Sequence, residues 1–146
     1  MKQPAPGVRS HCPISYSLDI VGDRWTLLVL RDLIIVGKRH FRDFLESEEG
    51  IASNILTARL KLLEGHGMAR RRRDPKSGRQ VIYEPTAKGL DLLPAMLEFA
   101  RWGGTYDPQT AAPKEMLRRI RQDRDGVVLE IRAGCEPALA VRPHPS

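Results

Sequence analysis

The chain has 146 residues, 41% of them apolar and 29% charged, the size and balance of one soluble folded unit with a modest core. No uncharged apolar stretch is long enough to span a bilayer and residues 1–10 lack the apolar region of a signal peptide, so a cytoplasmic location is expected. Cys12 and Cys135 lie far apart and match no metal-ligand spacing; neither a zinc site nor a disulfide scaffold is indicated, and no cofactor is expected.

In chain order, residues 1–11, with Pro4, Pro6 and Gly7, read as a flexible arm. Pro13 is well placed to open a short first helix carrying Ile14, Leu18 and Val21, which Gly22-Asp23 interrupts. Arg24 to Val36 is apolar almost all round and reads as the buried central helix, with Asp23 as its N-cap and Gly37 as its stop. A short helix from His40 to Glu48 turns Phe41, Phe44 and Leu45 inward. After a turn at Gly50-Ile51, a helix from Ala52 to His66 buries Ile55, Leu56, Leu60 and Leu63, leaves Asn54, Thr57, Arg59 and Lys61 largely free, and ends in Gly65-His66-Gly67.

The period then changes from helix to strand. Met68 to Arg73 and Gln80 to Glu84 pair antiparallel across a reversal at 74–78, with Val81 and Tyr83 on one face of the second strand. Thr86 caps a last core helix running to about Trp102, which Pro94 should bend. Gly103-Gly104 and Pro108 to Pro113 read as linker sequence, which sets a domain at 12–104, a linker at 105–113 and an extension at 114–146: Met116, Leu117, Ile120, Val127, Val128 and Ile131 fit one side of a helix, Asp125-Gly126 also permits a break followed by a strand, and the end from Pro137 is expected to be mobile. The fold class is mainly α with a small β-hairpin.

The formal net charge of +6 is concentrated. Between Ala52 and Gln80 stand Arg59, Lys61, Arg70, Arg71, Arg72, Arg73, Lys76 and Arg79 against Glu64 and Asp74, while the rest of the chain has as many acids as bases. Two short helices, the second basic outside and followed directly by a basic hairpin, form the arrangement by which a winged helix-turn-helix reads duplex DNA, the helix in the major groove and the wing on backbone or minor groove. Ser53, Asn54 and Thr57 are short polar side chains suited to base edges; Arg59 and Lys61 can reach phosphates or guanine; Arg71, Arg73, Lys76 and Arg79 would serve the wing. Strand alternation lets only two of Arg70 to Arg73 point to one face, so one pair can be structural or merely solvated. A solvated basic surface is the plainer alternative, and a winged-helix module that meets an acidic protein is another. An enzyme is not expected: the four histidines show no metal or triad spacing, and no phosphate-binding glycine loop is present.

The string Cys12-Pro13, Leu18, Val21-Gly22-Asp23-Arg24-Trp25-Thr26-Leu27-Leu28 and Leu30-Arg31-Asp32-Leu33 resembles the opening of HxlR-type regulators, a bacterial group related to MarR-like winged helices. Phe41, Leu45, Gly50-Ile51, Leu56-Thr57, Arg59-Leu60, Leu63-Glu64, Gly67-Met68, Val81, Tyr83, Thr86, Lys88-Gly89 and Trp102-Gly103 continue it in order. The resemblance implies a homodimer with the first and last helices at its interface, bound to a double-stranded operator with two half-sites, and a possible thiol sensor at Cys12. The thiol stands beside a helix N-terminus, near Arg9 and His11, where its pKa can be lowered; a buried structural cysteine is the alternative. Ala52 stands where the family has a capping residue, so Ser53 would cap instead; Pro85 would shorten the second wing strand; and the segment after Asp107 has no counterpart.

Overall fold

The computed structural model describes residues 9–139; most of the expected N-terminal arm and the tail beyond Leu139 lie outside the described residues. The order of elements is α1 (Pro13–Val21), α2 (Thr26–Arg31), a π-helical turn (Asp32–Val36), α3 (Phe41–Leu45), α4 (Ser53–Gly65), strands β1 (Ala69–Asp74) and β2 (Ser77–Pro85), α5 (Ala87–Leu90), α6 (Leu93–Tyr106) and α7 (Lys114–Leu139). The architecture is mainly α with a two-stranded antiparallel hairpin, the winged helix-turn-helix arrangement read from the sequence. Among the described residues no helix is long and apolar enough to cross a membrane.

The central helix is not continuous. Asp23 caps it, accepting from the backbone N–H of Trp25 at 2.8 Å and of Thr26 at 3.1 Å, but from Asp32 the chain widens into a π turn that closes when Gly37, at φ +89°, donates its N–H to the Asp32 carbonyl at 2.9 Å. Leu33 and Ile34 are thereby buried while Ile35 and Val36 face outward. Leu30, Leu33, Phe44, Leu56, Leu60, Leu63, Leu90 and Leu93 are fully buried and form the centre of the core.

Helix α3 is shorter than the periodicity suggests, and α4 stops where expected. Gly67 takes φ +69° and donates to the Glu64 carbonyl at 2.9 Å, and Met68 donates to Leu63 at 2.8 Å, the paired bonds of a glycine-terminated helix end. Ser53 does not cap α4: the cap position is Ala52, with no side-chain bond.

The hairpin reverses more tightly than expected, Asp74 pairing with Ser77 across Pro75-Lys76, and Pro85 does not shorten β2 but pairs with Ala69 at its end. Val81 and Tyr83 do share a face, yet the buried positions of β2 are Ile82, Glu84 and Pro85.

Thr86 caps only the single turn α5, accepting from Gly89 N–H at 3.2 Å. Pro94 does not bend a long helix; it stands in the first turn of α6, where its missing N–H costs nothing. Gly103-Gly104 lies inside α6, not in a linker, because Leu117 of α7 packs onto Gly104 so closely that a Cβ there would sit 2.7 Å from Leu117 Cδ1.

Helix α7 is helical on both sides of a kink at Asp123 (φ −153°, ψ 65°), whose carboxylate accepts from Gly126 N–H at 3.0 Å and so caps the second half. It runs antiparallel to α6, with Arg121 bonded to Thr105, Arg124 near Glu98 and Arg132 near Asp91. Leu117, Ile120, Val127, Val128 and Cys135 are buried beneath it, and Cys135 Sγ meets the Ile34 carbonyl at 3.8 Å.

Candidate nucleic-acid interface

Helix α4 presents its outward residues as a stripe. Leu56, Leu60 and Leu63 face the core, which leaves Asn54, Thr57 and Lys61, at spacings of three and four residues, exposed along the opposite side, with Ser53 exposed at its start. Thr57 Oγ1 donates to the Ser53 carbonyl at 2.9 Å, which fixes its rotamer and leaves its oxygen lone pairs outward.

Arg59 departs from the sequence reading. It is half-buried and off the stripe, and its guanidinium lies 3.3 Å from the Asp23 carboxylate at the start of α2, so it is not largely free. Burial pushes the Asp23 carboxyl up, but the Thr26 hydroxyl, the N–H groups of Trp25 and Thr26, and Arg59 together hold it below its usual range.

On the hairpin the four consecutive arginines divide as strand alternation requires. Arg70 and Arg72 both reach the buried Glu84, with Nε to carboxylate distances of 2.9 and 2.8 Å. Burial would raise the Glu84 carboxyl, and the two guanidiniums outweigh it and lower it. Arg71 and Arg73 are exposed, Arg71 only 4.0 Å from Glu64. Lys76 and Arg79 are exposed at and beyond the turn. Among the described residues Lys61, Arg73, Lys76 and Arg79 have no salt bridge. A surface that keeps such cations unpaired can accept phosphates without first breaking internal pairs.

Sequence reading missed His40 and Arg42. His40 Nε2 lies 2.9 Å from Asp74 Oδ2 and its Nδ1 lies 3.5 Å from Asp43, joining the reversal end of β1 to α3; the bond from His40 is the main reason the Asp74 carboxyl is lowered. The backbone bond from Tyr83 N–H to the Arg39 carbonyl at 2.8 Å reinforces the same junction. Arg42 is exposed on α3 beside Gln80 of the wing. The only available signal was their place in the short helix before α4, which composition does not distinguish from ordinary surface.

Cys12 is exposed at the N-cap of α1. Its thiol is lowered by the backbone N–H groups of Ser15 and Ile14. Helix geometry is therefore the cause; Arg9 instead lies 3.9 Å from Asp19.

Large exposed apolar groups gather on α1, with Ile14 and Leu18, and along one face of α6, with Phe99, Trp102 and Tyr106. A groove of about 540 Å³ lined by Ile14, Leu18, Leu92, Met96 and Phe99 runs between them.

Residues 20–111 match the family described as HxlR-like helix-turn-helix. An uncharacterised HTH-type transcriptional regulator of Synechocystis is 31% identical over 106 residues, 73% of this chain and 78% of that one. Among solved structures, PA1607, described as a transcription factor, aligns with a TM-score of 0.64 at 34% identity, covering 72% of this chain and 73% of that one. The redox regulator HypR in its oxidised form aligns with a TM-score of 0.59 at 29% identity, covering 66% of this chain and 98% of HypR. With the wing, the helix pair and the match over most of its length, the chain belongs to the HxlR-like helix-turn-helix family of transcriptional regulators.

Proposed function

We propose that the protein acts as a homodimer on a two-half-site operator, with α4 in the major groove of each half-site and the β1–β2 hairpin on the adjacent backbone or minor groove. The observation that carries this reading is the exposed stripe Asn54, Thr57 and Lys61 accompanied by the exposed cations Arg73 and Arg79. Short polar groups on the helix suit base edges, and long cations on the hairpin suit phosphates. The exposed apolar faces of α1 and α6 support the dimer, since a contiguous apolar patch on a soluble chain calls for a partner. The test is enrichment of a duplex from a randomised pool, followed by titration of its affinity against salt. The expected result is one enriched site that binds two protomers, with affinity falling steeply as salt rises. No enrichment and a flat salt response would favour the protein-interaction module.

A second role, thiol sensing at Cys12, is supported by its exposure and lowered thiol beside the α1 surface, and by the likeness to HypR, described as a redox regulator. Modification at the head of a dimerisation helix would alter the spacing of the two recognition helices, which half-sites tolerate poorly.

A further inference from the structure

Asp32 is 3% exposed, and a carboxylate so placed is costly unless its oxygens are fully met. They are met from the exit of the central helix and from the turn of the helix-turn-helix. Arg31 donates from Nε at 3.0 Å, Lys38 donates from Nζ at 3.2 Å, and the Ser47 hydroxyl bonds to the same oxygen as Lys38. Lys38 also donates to Ser47 Oγ at 2.8 Å, and Arg31 reaches Glu49 at 2.5 Å.

Arg31, Asp32 and Lys38 belong to the central helix and its exit, whereas Ser47 and Glu49 lie in the turn between α3 and α4. The π turn makes the meeting possible: with Gly37 in the left-handed region, the N–H groups of Gly37 and Lys38 both fold back onto the Asp32 carbonyl, at 2.9 and 2.8 Å, and bring the Lys38 side chain over the carboxylate. π turns recur where a helix has been bent to serve a site.

Stability alone is a weak reason for such a network, because apolar packing of the same volume does as well or better. Its distinctive property is direction: hydrogen bonds between charged groups have one geometry, whereas apolar contacts tolerate slip. We infer that Asp32, Lys38 and Ser47 are positioning residues for DNA recognition, fixing the α3–α4 turn and with it the angle at which α4 is presented. This rests on α4 being the recognition helix. Asn54 and Thr57 can pair with base edges only within hydrogen-bond tolerance. Lys76 and Arg79 reach phosphates on long flexible stems and accommodate a tilt. Loss of the network therefore lowers sequence discrimination and spares non-specific binding.

The test compares two probes of equal length, the duplex that wild-type protein enriches from a randomised pool and a scrambled duplex. The variants are Lys38→Met, Ser47→Ala, Ser47→Thr and the apolar triple Asp32→Leu, Lys38→Met, Ser47→Ala. The ratio of the two affinities should fall about tenfold in Lys38→Met and Ser47→Ala, the size of one lost base contact, with the salt slope on the scrambled duplex unchanged. Ser47→Thr, which keeps the hydroxyl, should retain the ratio, and the triple should recover thermal stability without recovering the ratio. The inference is overturned if Lys38→Met and Ser47→Ala keep the wild-type ratio, or if the ratio returns with thermal stability in the triple. Wild-type protein that enriches no duplex overturns the DNA reading itself and this inference with it.

Discussion

Replacing Arg70 and Arg72 together by methionine should cost stability, and replacing Arg71 and Arg73 together should cost DNA binding. The first pair supplies the donors to Glu84, itself 3% exposed, through contacts of 2.6 to 2.9 Å. Removing one side of a buried ion pair typically costs about 3–5 kcal/mol. The two guanidiniums retain 24% and 33% of their side-chain exposure, which places the loss near the lower end. For a chain of this size about 3 kcal/mol lowers the unfolding midpoint by about 6–12 °C. Arg71 is 61% exposed and its contact with Glu64 is a long one, so the second double variant should stay within about 0.5 kcal/mol of wild type. It should instead reduce the slope of log affinity against log salt by about 1.8, the release of two counterions. Thermal unfolding and salt-dependent gel shift on both double variants decide the matter. If the Arg70 and Arg72 variant lost DNA at an unchanged midpoint, or the Arg71 and Arg73 variant unfolded early with its slope intact, the division of the hairpin into a structural and a DNA-facing pair would be wrong.

Glu84, Asp23 and Asp74 are all held below the ordinary carboxylate range, so the unfolded chain binds more protons in acid. Their contribution is fully present above about pH 4–5 and drains away as pH falls through the depressed values. Unfolding midpoints should therefore change little between pH 7 and 5 and drop below that, with Glu84→Gln flattening the acid limb; a loss already complete by pH 6 would point to histidines. Phe99→Asp or Trp102→Glu, at positions 64% and 62% exposed in the protomer, should give a folded monomer by sedimentation with much weaker operator binding, and an unchanged dimer would remove α6 from the interface. Oxidant should lower the DNA affinity of wild type and of Cys135→Ser but not of Cys12→Ser. A response that survives Cys12→Ser, or unaltered affinity once Cys12 is shown to be modified, would end the sensing proposal.

What could be read from sequence was what local chemistry specifies. The 3.6-residue spacing of Leu56, Leu60 and Leu63, the glycine stop after α4 and the alternation of the four arginines each depend on near neighbours, and all reappear in the structure. Three of the errors fall where a distant partner decides. Arg59 meets Asp23 from another helix, and nothing near residue 59 signals it. Gly103-Gly104 reads as a linker until α7 is seen to pack against this end of α6, with Leu117 filling the space beside Gly104. Pro94 reads as a bend but opens a new helix, and the separate turn α5 before it is held against the α4–β1 turn, where Thr86 Oγ1 donates to the Gly67 carbonyl at 2.6 Å. The π turn was invisible because Asp32, Lys38 and Ser47 are unremarkable until the fold brings them together.

The central claim is that α4 reads bases while the hairpin holds the backbone. It is tested most directly by repeating the duplex enrichment with Asn54→Ala, Thr57→Ala, Lys76→Ala and Arg79→Ala beside wild type. The account expects the two helix variants to enrich altered sequences, and the two hairpin variants to enrich the wild-type sequence with uniformly weaker affinity. Hairpin variants that change the sequence, with helix variants that leave it intact, would contradict it.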